Sequence, residues 1–159
     1  MKKFIIASLF FGAMMSSCTN TKYLADNEKL MRGDWTITDV SVDGINENYV
    51  DITVFDEAKS KCFQGSHWHL VQNNASGTYT LNGGSGCPSG TTKIKWFITE
   101  ENGNLYYNFK KIYEGEKPKN VVDGYKMRVA SNSGSTFILE QKMMFEGKPI
   151  SVFYTFTKD

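Results

Sequence analysis

Residues 135–157 read STFILEQKMMFEGKPISVFYTFT. The stretch holds two runs in which every second residue is large and apolar, and a polar Glu-Gly-Lys segment separates them. Successive side chains of a β-strand point to opposite faces. The alternation therefore predicts two strands, each with one apolar face and one polar, solvent-exposed face. Because the connector is short and rich in turn-forming residues, we expect the two strands to pair as an antiparallel hairpin.

The same alternation recurs along most of the chain. It predicts eight strands, at 34–42, 66–73, 77–82, 91–99, 104–112, 122–131, 135–145 and 149–157. Because each strand has one polar, solvent-exposed face, the pattern excludes a parallel sheet that is buried on both sides. Short connectors favour consecutive antiparallel strands, and we therefore predict an all-β fold, a single eight-stranded up-and-down barrel. A transmembrane barrel is disfavoured because no regular aromatic girdles bound the runs.

Three segments outside the strands also carry predictions. Residues 26–33, DNEKLMRG, predict a short N-terminal helix that Asp26 caps and that Gly33 ends in a left-handed turn. Residues 43–65 predict a long connection with a helical turn near FDEAKS. The stretch 83–90, GGSGCPSG, predicts a flexible loop that is fixed by its single cysteine.

The N-terminus has the order of a secretory signal: Met-Lys-Lys, then the apolar run FIIASLFFGAMM, then Ser-Ser-Cys. Since this resembles the lipobox of bacterial lipoproteins, we interpret residues 1–17 as a lipoprotein signal peptide, 18–25 as a lipidated tether and 26–159 as the barrel domain. Cys18 is then the acylated residue. An ordinary secretory signal is the alternative. The apolar run is too short to span a bilayer, so acyl chains would anchor the chain to a membrane surface.

Charge and cysteine content restrict the classes of partner. The chain has 18 basic and 17 acidic residues, and without Lys2 and Lys3 of the signal 16 basic residues remain against 17 acidic ones. Such a balance carries no electrostatic footprint for nucleic acid and no basic stripe for anionic lipid. Cys62 and Cys87 form an even pair in an oxidising compartment, which predicts a disulfide, with two free thiols as the alternative.

The start of the first strand carries a family resemblance. Gly33-x-Trp35, a helix before it and a meander of seven further strands resemble the lipocalin or calycin superfamily. The run CFQGSHWHLVQNNASGTYTL at 62–81 is similar to lipocalin-like lipoproteins of Bacteroidota-type bacteria. The resemblance implies that Gly33 and Trp35 close one barrel end by packing. It also implies an outer-membrane anchor with the domain on the periplasmic side. Lipocalins carry an arginine over this tryptophan, and here Lys158 stands beyond the last strand.

Two further motifs have alternative explanations. Arg32-Gly33-Asp34 is the adhesion tripeptide, but it is squeezed between apolar residues instead of standing on a loop tip, so we interpret it as a helix end. His67-x-His69 presents two imidazoles on one strand face, whereas a zinc site needs three or four ligands. We therefore expect no metal at this pair and no other cofactor.

The inward-facing residues indicate the function. Apolar walls with a few polar groups are typical of small-molecule pockets, although a small barrel can also fill its interior with side chains. The predicted ligand-binding residues are Trp68, Trp96, Tyr107, Phe109, Tyr125, Phe137, Gln141 and Tyr154.

No nucleophile constellation is present, and we expect a binding protein instead of an enzyme. The predicted function is non-catalytic binding of a small hydrophobic or amphiphilic ligand by a monomeric envelope lipoprotein. The alternative is a protein-interaction or structural lipoprotein with a filled barrel that acts through its loops, chiefly 43–65 and 83–90.

Overall fold

A computed structural model describes residues 17–46 and 51–159 of the chain. These residues form one α-helix and ten strands, together with two short 3-10 helices at Ser60–Phe63 and Pro118–Asn120. The elements are α1 (Ser17–Met31), β1 (Gly33–Asp43), β2 (Thr53–Val54), β3 (Ala58–Lys59), β4 (His67–Val71), β5 (Ser76–Gly84), β6 (Cys87–Glu101), β7 (Asn104–Ile112), β8 (Tyr125–Asn132), β9 (Thr136–Phe145) and β10 (Lys148–Lys158). The predicted signal peptide lies, up to residue 16, outside the described residues.

Eight of the strands form a closed barrel in which every pair is antiparallel. Strands β4 to β10 follow one another around the barrel, and β1 closes it by pairing with β10 on one side and β4 on the other. The register sets Trp35 opposite Trp68 and Tyr154 opposite Leu139. The predicted all-β, eight-stranded up-and-down barrel with a short N-terminal helix is thus confirmed.

The barrel has two ends that differ in construction. We call the end that carries α1 and the turns 72–75, 102–103 and 133–135 the bottom end. The opposite, top end carries residues 51–66, the turn 85–86, the connection 113–124 and the turn 146–147. Inside the barrel lies one continuous apolar core, to which α1 contributes Met31 and the β2–β3 hairpin contributes Val54 and Phe55.

The helix is longer than predicted. It begins at Ser17, so Asp26 lies within it and does not cap it, and residues 18–25 of the predicted tether are helical. The barrel contacts this part of the helix directly, because the Gln72 side chain donates to the Ala25 carbonyl at 3.2 Å. Within the described residues no helix combines the length and the apolar character needed to cross a bilayer.

One prediction about a connection was wrong, and a second placed a helical turn a few residues too early. Residues 83–90 are not a flexible loop, because β5 and β6 continue through them and pair Gly84 with Cys87 across a two-residue turn. Ser85 and Gly86 both have positive φ in that turn, which is the geometry that matches hairpin twist. The helical turn expected near residues 55–60 is instead the tight turn of the β2–β3 hairpin, followed by a 3-10 helix.

Candidate functional site

The side chains predicted to bind a ligand all lie on the inner face of the barrel. Six are buried, namely Trp68, Trp96, Tyr107, Phe109, Phe137 and Tyr154. Tyr125 and Gln141 are partly buried. The alternation therefore assigned the correct face to every one of these residues.

Several of these rings contact one another across the interior. The Phe109 ring lies 5.8 Å from that of Trp68, 6.0 Å from that of Tyr107 and 5.1 Å from that of Tyr125. Trp96 stacks on Tyr107 with 5.6 Å between ring centroids. These are ordinary contact distances for aromatic pairs. Between these strands the rings themselves occupy the interior.

The bottom end is closed around Trp35, which is fully buried. Its indole N–H donates to the Met31 carbonyl at 2.8 Å, and its ring lies edge-on to Phe137 at 4.6 Å. The Lys158 ammonium lies 5.4 Å from the ring centroid. Gly33 has a φ of +119°, so the chain turns from α1 into β1 at a residue that tolerates this conformation.

The top end is closed by Phe55, which is not among the predicted ligand-binding residues. The Phe55 ring, which is 3% exposed, inserts among four other rings. Its centroid lies 5.1 Å from those of Phe63 and Phe109, 5.2 Å from that of Tyr125 and 5.4 Å from that of Tyr154. We call residues 54–57 the Phe55 turn. It plugs the end of the barrel opposite to Trp35.

The backbone of the Phe55 turn is unusual. The Glu57 N–H donates to the Val54 carbonyl at 3.1 Å, and the two residues between them, Phe55 and Asp56, have φ values of +53° and +48°. Asn-Gly is the usual pair for such a turn, since a side chain strains it. A bulky residue with positive φ costs about 1–3 kcal/mol, which the surrounding contacts must offset.

A disulfide fastens the chain close to this turn. Cys62, in the 3-10 helix, is bonded to Cys87 at the start of β6, with the two Cα atoms 5.4 Å apart. The predicted pairing is confirmed. The bond links the residues that follow the β2–β3 hairpin to the rim of the barrel at the β5–β6 turn, and so limits how far this segment can move.

Hydrogen bonds from three barrel strands hold the Phe55 turn. The Lys111 ammonium on β7 donates to the Phe55 carbonyl at 2.6 Å and lies 3.4 Å from the Glu57 carboxylate. The Tyr125 hydroxyl on β8 donates to the same carbonyl at 2.8 Å. The Tyr79 hydroxyl on β5 donates to Glu57. The barrel supplies the donors and the turn supplies the acceptors.

These donors keep their protons at neutral pH. Burial, and then the hydrogen bond to Glu57, raises the pKa of Tyr79 far above its usual range. Burial and the hydrogen bond to Asp56 likewise raise the pKa of Tyr125. For Lys111, burial lowers the pKa, but the hydrogen bond to Tyr113 and the charge of Glu57 outweigh it and the pKa is raised. The ammonium is therefore charged although the side chain is only 7% exposed.

One signal in the sequence pointed to Lys111. It continues the inward phase of β7, in which Leu105, Tyr107 and Phe109 precede it at every second position. A lysine at the end of an apolar phase is easily taken for a solvated strand end, so Lys111 was not among the predicted site residues. Phe55 and Glu57 carried no such signal, because apolar and polar residues do not alternate in the connection that contains them.

A cleft opens at the top end beside this network. It has a volume of about 340 Å³, and Lys111, Tyr113 and Tyr125 line it together with Asp56, Glu116 and residues 120–123. The polar side of the Phe55 turn therefore faces an opening of the size of small-molecule sites.

Two buried tyrosines of the interior, Tyr107 and Tyr154, differ in their hydrogen bonds. The Tyr154 hydroxyl donates to the Gln141 side-chain oxygen at 2.8 Å. Among the residues that the structure describes, the Tyr107 hydroxyl is the one buried side-chain oxygen or nitrogen that lacks a partner. Burial raises the pKa of both phenols. Tyr107 thus presents an unsatisfied polar group to an apolar interior.

The histidines lie on the outer face of β4. His69 Nδ1 is 2.6 Å from an Asp34 carboxylate oxygen, and His67 Nδ1 is 3.0 Å from the Thr36 hydroxyl. In the described part of the chain, no group of three or more His, Cys, Asp or Glu side chains is arranged to hold a metal. Asp34 itself pairs with His69 in the barrel, so the Arg-Gly-Asp segment does not form a loop tip.

Comparison of the chain with protein-family models, curated proteins and solved structures found no match. The resemblance to lipocalin-like bacterial lipoproteins therefore stays a prediction from the sequence.

Proposed function

We propose that this chain is an envelope lipoprotein whose barrel binds a small hydrophobic or amphiphilic molecule without catalysis. The observation that carries the proposal is the Tyr107 hydroxyl, for which the described residues supply no partner. Buried polar groups in folded proteins nearly always form a hydrogen bond. A polar group of a bound molecule would provide the missing one.

The composition of the interior supports the same proposal. Its wall is aromatic, with single polar groups at Tyr107, Gln141 and Lys111. Binding pockets combine apolar surface for affinity with a few polar groups for orientation. The charged group of the interior, Lys111, lies at the top end with the cleft beside it.

One observation favours the alternative, a protein-interaction or structural lipoprotein with a filled barrel. The interior rings contact one another, and Phe55 fills the top end. Such a protein would act through its loops, chiefly the predicted segment 43–65, because residues 83–90, the other predicted segment, are paired strand and a two-residue turn.

Native mass spectrometry of the full chain after mild extraction separates the two functions. For a binding protein we expect a co-purified molecule of defined mass. The Tyr107→Phe variant should carry less of it, because the hydroxyl partner is lost. Tyr106→Phe is the matched control, since Tyr106 is the neighbouring tyrosine on the outer face of β7. A chain that is empty under all extraction conditions favours the interaction protein.

The lipid anchor has a separate test. Cys18→Ser should move the protein from the membrane fraction to the soluble fraction, while Cys62→Ser should not. Continued membrane association of Cys18→Ser would contradict the anchor. Because α1 begins at Ser17 and its later residues pack on the bottom end, acyl chains on Cys18 would hold the bottom end towards the membrane. The top end would then face away from it, on the periplasmic side of the outer membrane.

A further inference from the structure

The contacts at the top end divide into two sets. The donors are Lys111, Tyr79 and Tyr125, which belong to three strands of the barrel. Within the described residues, the carbonyl and carboxylate oxygens that accept from them all belong to residues 55–57. If the Phe55 turn moved out, all of these acceptors would leave together and the donors would remain in the barrel.

We propose that the Phe55 turn occupies a binding site for an amphiphile with a carboxylate head group, and that such a ligand displaces it. Lys111, Tyr125 and Tyr79 would take the carboxylate, and the space of the Phe55 ring would take the first part of the apolar chain. This proposal rests on the proposed function and specifies its ligand class.

The charge of the site sets the charge of the ligand. In the structure, the buried Lys111 ammonium lies 3.4 Å from Glu57, so the pair is neutral. Displacement of the turn would remove Glu57 and leave one buried positive charge, which is costly without a partner. A ligand with a single negative charge restores neutrality. A carboxylate also has two oxygens, which can replace the Phe55 carbonyl oxygen and the Glu57 carboxylate oxygen beside Lys111.

Phe55 already places at this site the two kinds of group that such a ligand would have, an apolar group and an oxygen acceptor. Its ring lies among Phe63, Phe109 and Tyr154, and its carbonyl oxygen accepts from both Lys111 and Tyr125. An apolar group and an oxygen acceptor are thus bound together at this position. The positive φ of both Phe55 and Asp56 makes the turn a strained occupant, which a ligand can replace more easily than a relaxed one.

The cleft beside Lys111 provides the entrance. Two of its other acidic residues, Glu116 and Asp123, stay in place when the turn moves. They would repel an anion in the outer cleft, so the head group belongs deeper, at Lys111. The apolar chain then points into the barrel, towards the aromatic rings that surround Phe109.

Isothermal titration calorimetry of the full chain in detergent-free buffer tests the ligand class. The probes are decanoate, decanol and decyltrimethylammonium, which share a chain and differ in head-group charge. We expect decanoate to bind at least about tenfold more tightly than decanol, since hydrogen bonds to charged groups are the stronger ones. Lys111→Met should abolish this preference, so that decanoate binds no more tightly than decanol. Lys93→Met, on the outer face of β6, is the matched control and should keep the preference.

Two measurements test the displacement. Phe55→Gly removes the competing ring and suits the positive φ, so it should bind decanoate about tenfold or more tightly than the unmodified chain. In the unmodified chain, hydrogen exchange at residues 53–59 should accelerate when decanoate is bound, while exchange around Trp35 stays the same. The exchange result decides the question even if a variant fails to fold.

The outcomes separate this proposal from the proposed function. Equal affinity for decanoate and decanol overturns the carboxylate site but leaves a ligand-binding barrel. Decanoate binding without faster exchange at residues 53–59 overturns the displacement. If neither the unmodified chain nor Phe55→Gly binds any of the three probes and no molecule co-purifies, both proposals fail.

Discussion

The two ends of the barrel are closed in different ways. At the bottom end, Trp35 is fully buried and bonds to Met31, four residues away in the chain. At the top end, the Phe55 turn is held by Lys111 and Tyr125, which are 56 and 70 residues away. The indole hydrogen bond of the bottom closure is local in the chain, although Phe137 and Lys158 also contact the Trp35 ring. The top closure adds a charged hydrogen-bond network and positive φ values to its aromatic contacts, and its donors all come from distant strands.

This difference suggests a division of roles. An apolar closure with satisfied hydrogen bonds contributes to stability at all times. At the top end, the positive φ of a bulky residue and the buried charged network both cost free energy. Only the contacts with their partners offset this cost. We therefore expect the bottom end to determine whether the barrel folds and the top end to determine what enters it.

The largest effect should come from the bottom end. Trp35→Ala removes a fully buried indole and should lower the free energy of unfolding by about 3–5 kcal/mol. Trp35→Phe keeps a ring and should cost less. Urea unfolding followed by circular dichroism measures both variants. Equal, small losses in the two would mean that Trp35 does not close the barrel by packing.

The disulfide should come second. Replacement of both cysteines, Cys62→Ala with Cys87→Ala, opens a loop with a sequence separation of 25 residues. We expect a loss of about 3 kcal/mol on the chain-entropy model. Urea unfolding of the double variant measures it. Hydrogen exchange should rise most at residues 53–63, and a uniform rise over the barrel would contradict a specific role at the top end.

The third effect concerns the charged network. Lys111→Met leaves the Phe55 carbonyl and Glu57 without their ammonium partner and should cost about 1–3 kcal/mol in unfolding free energy. The exposed Lys93→Met control should stay within about 0.5 kcal/mol. Thermal unfolding of the two variants side by side gives the comparison. A loss no larger for Lys111→Met than for Lys93→Met would show that the network does not hold the top end.

The smallest effect comes from a pair of matched tyrosine variants. Tyr154→Phe breaks a bond to Gln141 and should cost about 1 kcal/mol. Tyr107→Phe removes a hydroxyl for which the structure provides no partner, so in the ligand-free chain it should be neutral or slightly stabilising. Denaturant unfolding at neutral pH measures both. A clear loss for Tyr107→Phe would reveal a partner for its hydroxyl, such as a bound molecule.

The same pair has a pH dependence with a defined sign. A tyrosine in the unfolded chain ionises near pH 10, whereas burial raises the folded-state pKa of Tyr107 well above that value. Above pH 10 the unfolded state therefore binds fewer protons than the folded state, and stability falls as pH rises. We expect this decline to be less steep in Tyr107→Phe. Unfolding curves recorded at intervals from pH 8 to pH 11 would reveal it.

Much of the fold could be read from the alternation of apolar residues. All eight barrel strands were predicted, because a half-buried strand imposes a period of two on its own sequence. The same period placed Trp68 and Phe109 on the inner face. The β5–β6 turn was misread, since Gly and Ser in residues 83–90 suit a tight hairpin turn as well as a loop.

The candidate site was less predictable. Phe55 and Glu57 lie in a connection without a period, and only the closed barrel creates the opening that they fill. Lys111 is one of the inward-facing residues of β7. Its buried charge is stabilised there only by contacts with the Phe55 carbonyl and Glu57. A local sequence pattern cannot identify a partner that is more than 50 residues away in the chain.

The sequence by itself determined the strands, their inward faces and the aromatic content of the interior. These follow from the alternation of side chains along each strand, which is a local property of the chain. Only the tertiary structure decided how the two ends are closed and which donors meet which acceptors. Such contacts depend on barrel closure, which brings β5, β7 and β8 around the Phe55 turn.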